Sequence, residues 1–117
     1  MTIAVQLPIK IISEANAHGH WRERAKRAKL HRATALTLLQ AWHGTKPPAG
    51  RMRITMTRIA PRTLDDDNLA GGFKATRDGV ADWLGIDDGS PLLMWRYAQR
   101  KGGPREYAAE VRIEGVA

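Results

Sequence analysis

The chain has 117 residues, no cysteine, and 19 lysine and arginine residues against 12 aspartate and glutamate residues, so its formal net charge is +7. This length fits one domain with one core, and the lack of cysteine in the chain excludes disulfides and thiolate zinc sites. No apolar run approaches the roughly 20 residues that cross a bilayer, so we expect a cytoplasmic protein with no membrane partner.

The first half of the chain predicts two strands separated by a long helix. Residues Thr2 to Ile12 are rich in Ile and Val, which favours a strand, and a loop containing Asn16 follows. From about Trp21 to Trp42, apolar residues recur at spacings of three and four, which predicts a helix. Its predicted apolar stripe consists of Ala25, Ala28, Ala35, Leu36, Leu39 and Trp42.

Residues Arg51 to Ile59 alternate with a period of two, which predicts a strand. One face of this strand is expected to consist of Met52, Ile54, Met56 and Arg58.

The second half predicts one helix and then two strands. The helix should run from Asn68 to Leu84, with an apolar stripe formed by Leu69, Phe73, Val80, Trp83 and Leu84. Glycines interrupt it, and glycine in a helix often marks the close approach of a backbone or a ligand. Leu92 to Arg100 and Arg105 to Ile113 flank a Lys-Gly-Gly-Pro turn, which predicts a hairpin. We therefore expect an α/β (α+β) fold over residues 1–117, in β-α-β-α-β-β order, with two helices on a mixed sheet.

The most informative feature is the run Asp65, Asp66, Asp67 and Asn68 in a basic chain. Adjacent carboxylates repel one another, and a divalent cation reverses that repulsion. If the segment is extended, Asp65 and Asp67 point to the same side and can share one ion. Asp87 and Asp88 lie one helix length further on, and Asp88 is the candidate third ligand. These residues predict a Mg²⁺ site, with Mn²⁺ as a substitute.

A structural explanation stands beside the metal hypothesis. Aspartate is a favoured helix N-cap and stabilises a helix N-terminus, although three in succession exceed what capping requires. Asp87-Asp88-Gly89 is likewise an ordinary turn sequence. The residues alone leave both alternatives open for each acidic group.

Two basic residues follow the acidic run on the predicted helix. Lys74 lies seven residues after Asp67, which is two turns along the same helix face, so its ammonium group can reach toward the carboxylates and contact a phosphate. The alternative is a surface ion pair between Lys74 and Asp78. Arg77 is less well placed, and we expect it to be solvated.

The segment from Lys10 to Arg32 has seven basic residues and two acidic ones. A positive field of this kind attracts phosphate backbones, although a merely solvated helix face is the alternative. His18, His20 and Trp21 precede the basic helix, and we expect this loop to contact phosphate or a base rather than zinc. Trp21 is the candidate for stacking on a base.

The run Asp65-Asp66-Asp67-Asn68-Leu69, followed after a helix by Trp83-Leu84-Gly85-Ile86-Asp87-Asp88, resembles the RusA-like Holliday junction resolvases of bacteria and prophages. Their signature is Asp-x-Asp-Asn-Leu, a helix and a short segment ending in Asp-Asp. The resemblance covers about Arg51 to Ile113. Two departures stand out. Gly71 occupies the position of the family's lysine, for which Lys74 substitutes one turn later, and Asp66 replaces an apolar residue.

The resemblance implies a bacterial or prophage-encoded, homodimeric, Mg²⁺-dependent endonuclease acting on branched DNA in recombination and repair. It implies that Asp65, Asp67 and Asp88 are catalytic metal ligands, and we expect Lys74 to offset charge on the phosphate. The expected DNA contacts are Asn16, His20, Trp21, Arg22, Arg24, Lys26 and Arg27. The rival hypotheses are a non-catalytic DNA-binding module with an acidic helix cap and an enzyme acting on a smaller phosphate substrate.

Overall fold

The computed structural model describes residues 1–17 and 19–116. Seven elements follow one another along the chain: β1 (Thr2–Leu7), α1 (Trp21–His43), β2 (Met52–Ala60), α2 (Asp66–Gly72), α3 (Lys74–Leu84), β3 (Leu93–Lys101) and β4 (Ala108–Gly115). The predicted α+β class with a mixed sheet is confirmed, with three helices instead of two. None of the helices in the described residues is both long enough and apolar enough to cross a membrane.

The four strands form one sheet in the order β1-β4-β2-β3. β2 pairs with β3 in parallel, whereas β4 lies antiparallel to both β2 and β1. The predicted hairpin between the last two strands is therefore wrong, because β2 lies between them. The connection from β3 to β4 instead passes the end of β2, where the Gly102 N–H donates to the Ala60 carbonyl at 2.9 Å.

The core contains the inward face of β2, as the alternation predicts. Met52, Ile54 and Met56 are fully buried, and Arg58 is 7% exposed. The predicted N-terminal strand is too long, because β1 ends at Leu7. Pro8 follows, and proline has no N–H to donate to a sheet. Residues after it still enter the core: Ile9 and Ile11 are buried.

Helix α1 packs on the core through its second half only. Ala35 and Leu39 are buried, but Ala25, Ala28 and Trp42 from the predicted stripe are exposed. The prediction fails for Ala25 and Ala28 because these small residues face a groove instead of the core. α1 packs mainly against α3 and makes a smaller contact with β1.

The single helix predicted for residues 68–84 is two helices. α2 begins at Asp66, and the chain turns at Phe73 before α3. The glycines do lie at close approaches, as expected. A Cβ on Gly72 would lie 2.5 Å from the Ile12 carbonyl oxygen, and one on Gly79 would overlap the Arg32 carbonyl oxygen. Gly71 has open space around it.

Candidate functional site

The segment that leads into the acidic run is held by a glutamine on β3. The Gln99 side chain accepts a hydrogen bond from the Leu64 N–H at 2.8 Å and donates one to the Leu64 carbonyl at 2.7 Å. Both backbone groups of Leu64 are thereby paired, as buried backbone groups require. The residue before Asp65 is consequently fixed to the edge strand of the sheet.

A buried arginine secures the other side of this segment. The Arg58 guanidinium donates to the Ile11 carbonyl at 2.8 Å and also to the Arg62 carbonyl. Burial lowers the pKa of Arg58, although arginine stays protonated. Because Arg58 pairs with Gln99 in the β2–β3 register, the two side chains together fix the chain between β2 and α2.

Asp65 is the N-cap of α2. Its Oδ1 accepts from the Asn68 N–H at 2.9 Å, and its Oδ2 accepts from the Asn68 side-chain amide at 3.0 Å. The capping alternative is thus observed for this residue. The helix begins at Asp66, so Asp67 is helical and the expected alternation of an extended chain is wrong for the pair Asp65 and Asp67.

Asp66 and Asp67 are exposed in the first turn of α2. Within the described part of the chain, neither carboxylate has a side-chain hydrogen bond or an ion pair. Residues three and four positions apart on a helix are neighbours, so Asp67 lies next to Ala70 and Gly71. This places one uncommitted carboxylate beside two small residues.

The second acidic segment is held by a cluster of aromatic and basic side chains. Arg77 donates to Asp88 Oδ2 at 2.9 Å, to the Asp88 carbonyl at 3.1 Å and to the Tyr97 hydroxyl at 3.0 Å. Trp95 Nε1 donates to the same Asp88 carbonyl at 2.8 Å, and Arg77 lies 4.6 Å from the Trp95 ring centroid. The expectation that Arg77 is solvated is therefore wrong. The neighbouring Asp87 is exposed.

A surface cavity of about 320 Å³ lies between Asp88 and the end of α2, the helix that begins with the acidic run. Its lining consists of Ala70, Gly71, Lys74, Arg77, Asp88 and Tyr97. Lys74 also forms the alternative ion pair with Asp78, but at 3.8 Å and with its side chain 76% exposed. Such an exposed pair is worth little, so the ammonium group can turn toward the cavity.

The acidic groups do not form a ready-made metal centre. Across residues 1–17 and 19–116, no group of three histidine, aspartate or glutamate side chains is close enough to hold an ion. Asp65 is engaged in capping, Asp88 Oδ2 is engaged with Arg77, and Asp67 remains uncommitted. The donor chemistry nevertheless suits Mg²⁺, which binds one or two carboxylates, several waters and a substrate phosphate.

The start of α1 presents an aromatic and basic surface. His20 is the N-cap, with Nδ1 accepting from the Arg22 N–H at 3.2 Å. Trp21 is 62% exposed, with its ring 5.4 Å from both the His20 ring and the Arg22 guanidinium carbon. An exposed indole ring flanked by a cation suits stacking on a base. His18, the other histidine of this loop, lies outside the described residues.

The other predicted DNA contacts differ in how far their charge is compensated. Arg24 and Lys26 are exposed, and neither forms an ion pair within the described residues. Arg27 instead binds Glu14 through two hydrogen bonds of 2.6 Å, which lower the pKa of Glu14. Asn16 is exposed in a turn before the helix.

The predicted site residues do not include Gln99 and Arg58, which position the acidic run, or Arg77, which is the partner of Asp88. The strand alternation does place Arg58 inward among apolar residues, which is a signal that its guanidinium must find buried partners. No local pattern distinguishes Gln99 or Arg77, because their partners lie 35 and 11 residues away.

No protein-family model matches the chain. An uncharacterized protein of Xylella fastidiosa (strain Temecula1 / ATCC 700964) is 39% identical over 92 residues, which cover 74% of this chain and 60% of that protein. The chain therefore spans about three fifths of the length of this relative.

Proposed function

We propose that the chain is a Mg²⁺-dependent endonuclease that cuts DNA, with branched structures such as four-way junctions as its substrate class. One observation supports this most directly. Asp88 and Lys74 border the same cavity as Ala70 and Gly71, which lie one helical turn after Asp67. Asp88 and a lysine thus border one surface depression, next to the helix that carries Asp67, in a chain with net charge +7.

The metal is expected to arrive with the substrate. Asp67 and Asp88 Oδ1 are free to bind Mg²⁺ together with a phosphate, and Asp65 retains lone pairs beyond those used in capping. Bound Mg²⁺ would polarise the phosphate and lower the pKa of a water molecule. Arg77 orients Asp88 through a hydrogen bond to its Oδ2, while Lys74 borders the cavity, where it could contact a phosphate oxygen.

DNA binding is assigned to the exposed start of α1. Arg22, Arg24 and Lys26 form no ion pair with other residues in the ranges 1–17 and 19–116, and they share the start of α1 with the exposed Trp21 ring. Replacing any one of them by alanine should reduce the slope of log K against log salt by roughly 0.9, as expected for one lost phosphate contact on duplex DNA. Symmetric cleavage of a four-way junction needs two such sites, so we propose a homodimer as the active form.

Nicking of a synthetic four-way junction in Mg²⁺ and in EDTA tests this function. Asp67→Asn should lower the rate by about 100-fold or more, because metal-assisted charge stabilisation is worth several kcal/mol. Asp66→Asn is the matched control: it removes the same charge from the same exposed helical turn and should leave the rate near that of wild type. Equal rates for both variants, or no nicking by pure wild type with Mg²⁺ or Mn²⁺, would refute the nuclease proposal.

A non-catalytic DNA-binding module is the second candidate. The observation that favours it is that Asp65 caps α2 and Asp88 pairs with Arg77, so both have structural roles without a metal. Such a module would bind a junction equally well in EDTA and after Asp67→Asn, and it would never nick it. Binding measured alongside nicking therefore separates the two functions.

A further inference from the structure

A second, larger cavity lies between the exposed half of α1 and the junction of α2 with α3. Its volume is about 460 Å³, within the usual range for small-molecule sites. We call it the interhelical groove. The small residues that line it are Ala25, Ala28, Gly71, Gly72 and Ala75. Because these side chains are so short, a flat ring can lie against both helical surfaces.

A buried histidine lines the interhelical groove. His31 is only 4% exposed, and it makes no hydrogen bond to the other described residues. Burial lowers the pKa of His31, so the imidazole is neutral near pH 7 and offers one N–H donor and one acceptor. The ring nitrogens of His31 are not among the fully buried side-chain atoms that lack a partner, and the residue lines the groove, so a molecule in the groove can exchange hydrogen bonds with the imidazole.

The charges at the rim of the groove favour an anionic occupant. Arg24 and Lys74 border it, and Arg24 is exposed without an ion pair in the described part of the chain. Two acidic groups also border it, but Glu14 is neutralised by Arg27 and Asp78 lies 3.8 Å from Lys74. With Arg27 included, three cations stand against two carboxylates around the groove, so the net charge presented to an occupant is positive.

The interhelical groove and the cavity beside Asp88 are neighbours, because Gly71 and Lys74 line both of them. A DNA strand whose phosphate lies beside Lys74 has its attached base within reach of the groove. We propose that the interhelical groove receives one unpaired nucleobase, with its hydrogen-bonding edge against His31 and its phosphate between Arg24 and Lys74. This inference rests on the proposed function in so far as the chain must bind DNA.

The test is equilibrium binding in EDTA, so that it is independent of metal and cleavage. Three duplexes are compared by fluorescence anisotropy: one with a single-base bulge, one with an abasic residue in the bulge, and one fully paired. Wild type should bind the base-containing bulge about tenfold more tightly than the abasic one, the usual effect of one stacked base. Equal affinities would overturn the inference.

Variants locate the binding to the groove. Ala28→Leu fills the groove from an exposed position and should remove the tenfold preference while leaving affinity for paired duplex unchanged. Ala25→Leu, one turn earlier, is an independent second variant with the same expected result. Ala33→Leu is the matched control, since Ala33 is exposed on α1 outside the groove lining, and it should retain the preference. A preference that survives both groove variants would overturn the inference.

The outcome is separable from that of the nicking assay. Nicking by wild type without a base preference would refute the groove inference alone. A base preference without nicking would refute the nuclease proposal alone.

Discussion

The packing of α1 against α3 sets the width of the interhelical groove, and Gly79→Ala perturbs it directly. A Cβ at residue 79 would overlap the Arg32 carbonyl oxygen and lie 2.9 Å from the Ala35 Cβ. Relieving this overlap requires the helices to move apart by roughly 1 Å, since favourable contacts begin near 3.5 Å. The flexible end of a side chain could move aside, but a backbone carbonyl and a buried alanine cannot do so cheaply.

The expected free-energy change follows from two opposing effects. Overpacking a core contact costs about 1–3 kcal/mol, and the higher helix propensity of alanine returns about 1 kcal/mol. We therefore expect Gly79→Ala to lower the free energy of unfolding by about 1 kcal/mol, within a range of roughly 0–2 kcal/mol. Gly71→Ala is the matched control: no atom lies within 4 Å of its added Cβ, so it should be neutral or more stable by up to about 1 kcal/mol.

Urea denaturation followed by circular dichroism measures both variants. The m-value should stay unchanged, so that the midpoint reports stability alone. Gly79→Ala at least as stable as wild type, or equal shifts for the two variants, would show that the α1–α3 contact is looser than described. In that case the groove would also lack a fixed width.

Three further predictions concern single side chains. Thr76→Val should raise the free energy of unfolding by about 1 kcal/mol, because the buried Thr76 hydroxyl has no partner among the described residues; a loss of stability would contradict this. Gln99→Leu should lower the free energy of unfolding, measured by urea denaturation, by about 1–3 kcal/mol, because it leaves both Leu64 backbone groups unpaired. Gln99→Glu keeps the acceptor for the Leu64 N–H and should lower the free energy of unfolding by less. The hydrogen bonds from Arg27 lower the folded-state pKa of Glu14, so the stabilisation that they give is full above the ordinary glutamate pKa and is lost as pH falls through the lowered value. Glu14→Gln should therefore make the free energy of unfolding fall less steeply with decreasing pH in the acidic range. An unchanged fall would contradict this.

Local patterns predict much of the fold. The alternation from Arg51 to Ile59 correctly predicts the buried face of β2, because one residue in two must face the helices. The order of strands is not a local property. β4 pairs with β2 rather than β3 because the helices after β2 carry the chain across to form the parallel β2–β3 pair.

The candidate site is predicted less completely than the fold. The predicted helix begins at Asn68, whereas α2 begins at Asp66 with Asp65 as its N-cap, and sequence does not show that capping engages both oxygens of Asp65. The Phe73 break is hidden because α2 and α3 share one apolar periodicity through Leu69, Phe73 and Val80. Asp88 and Gly71 line one cavity although they lie far apart in the sequence, and that juxtaposition is tertiary.

We propose that acidic residues from two separate segments bind one divalent ion together with a DNA phosphate. Paramagnetic broadening by Mn²⁺ measures this directly on the ¹⁵N-labelled chain bound to a short DNA duplex. We expect that backbone amides of 65–71 and of 87–88 broaden together at the lowest Mn²⁺ concentrations, and that Asp67→Asn abolishes the effect whereas Asp66→Asn does not. Broadening confined to one of these segments, or centred elsewhere in the chain, would contradict it.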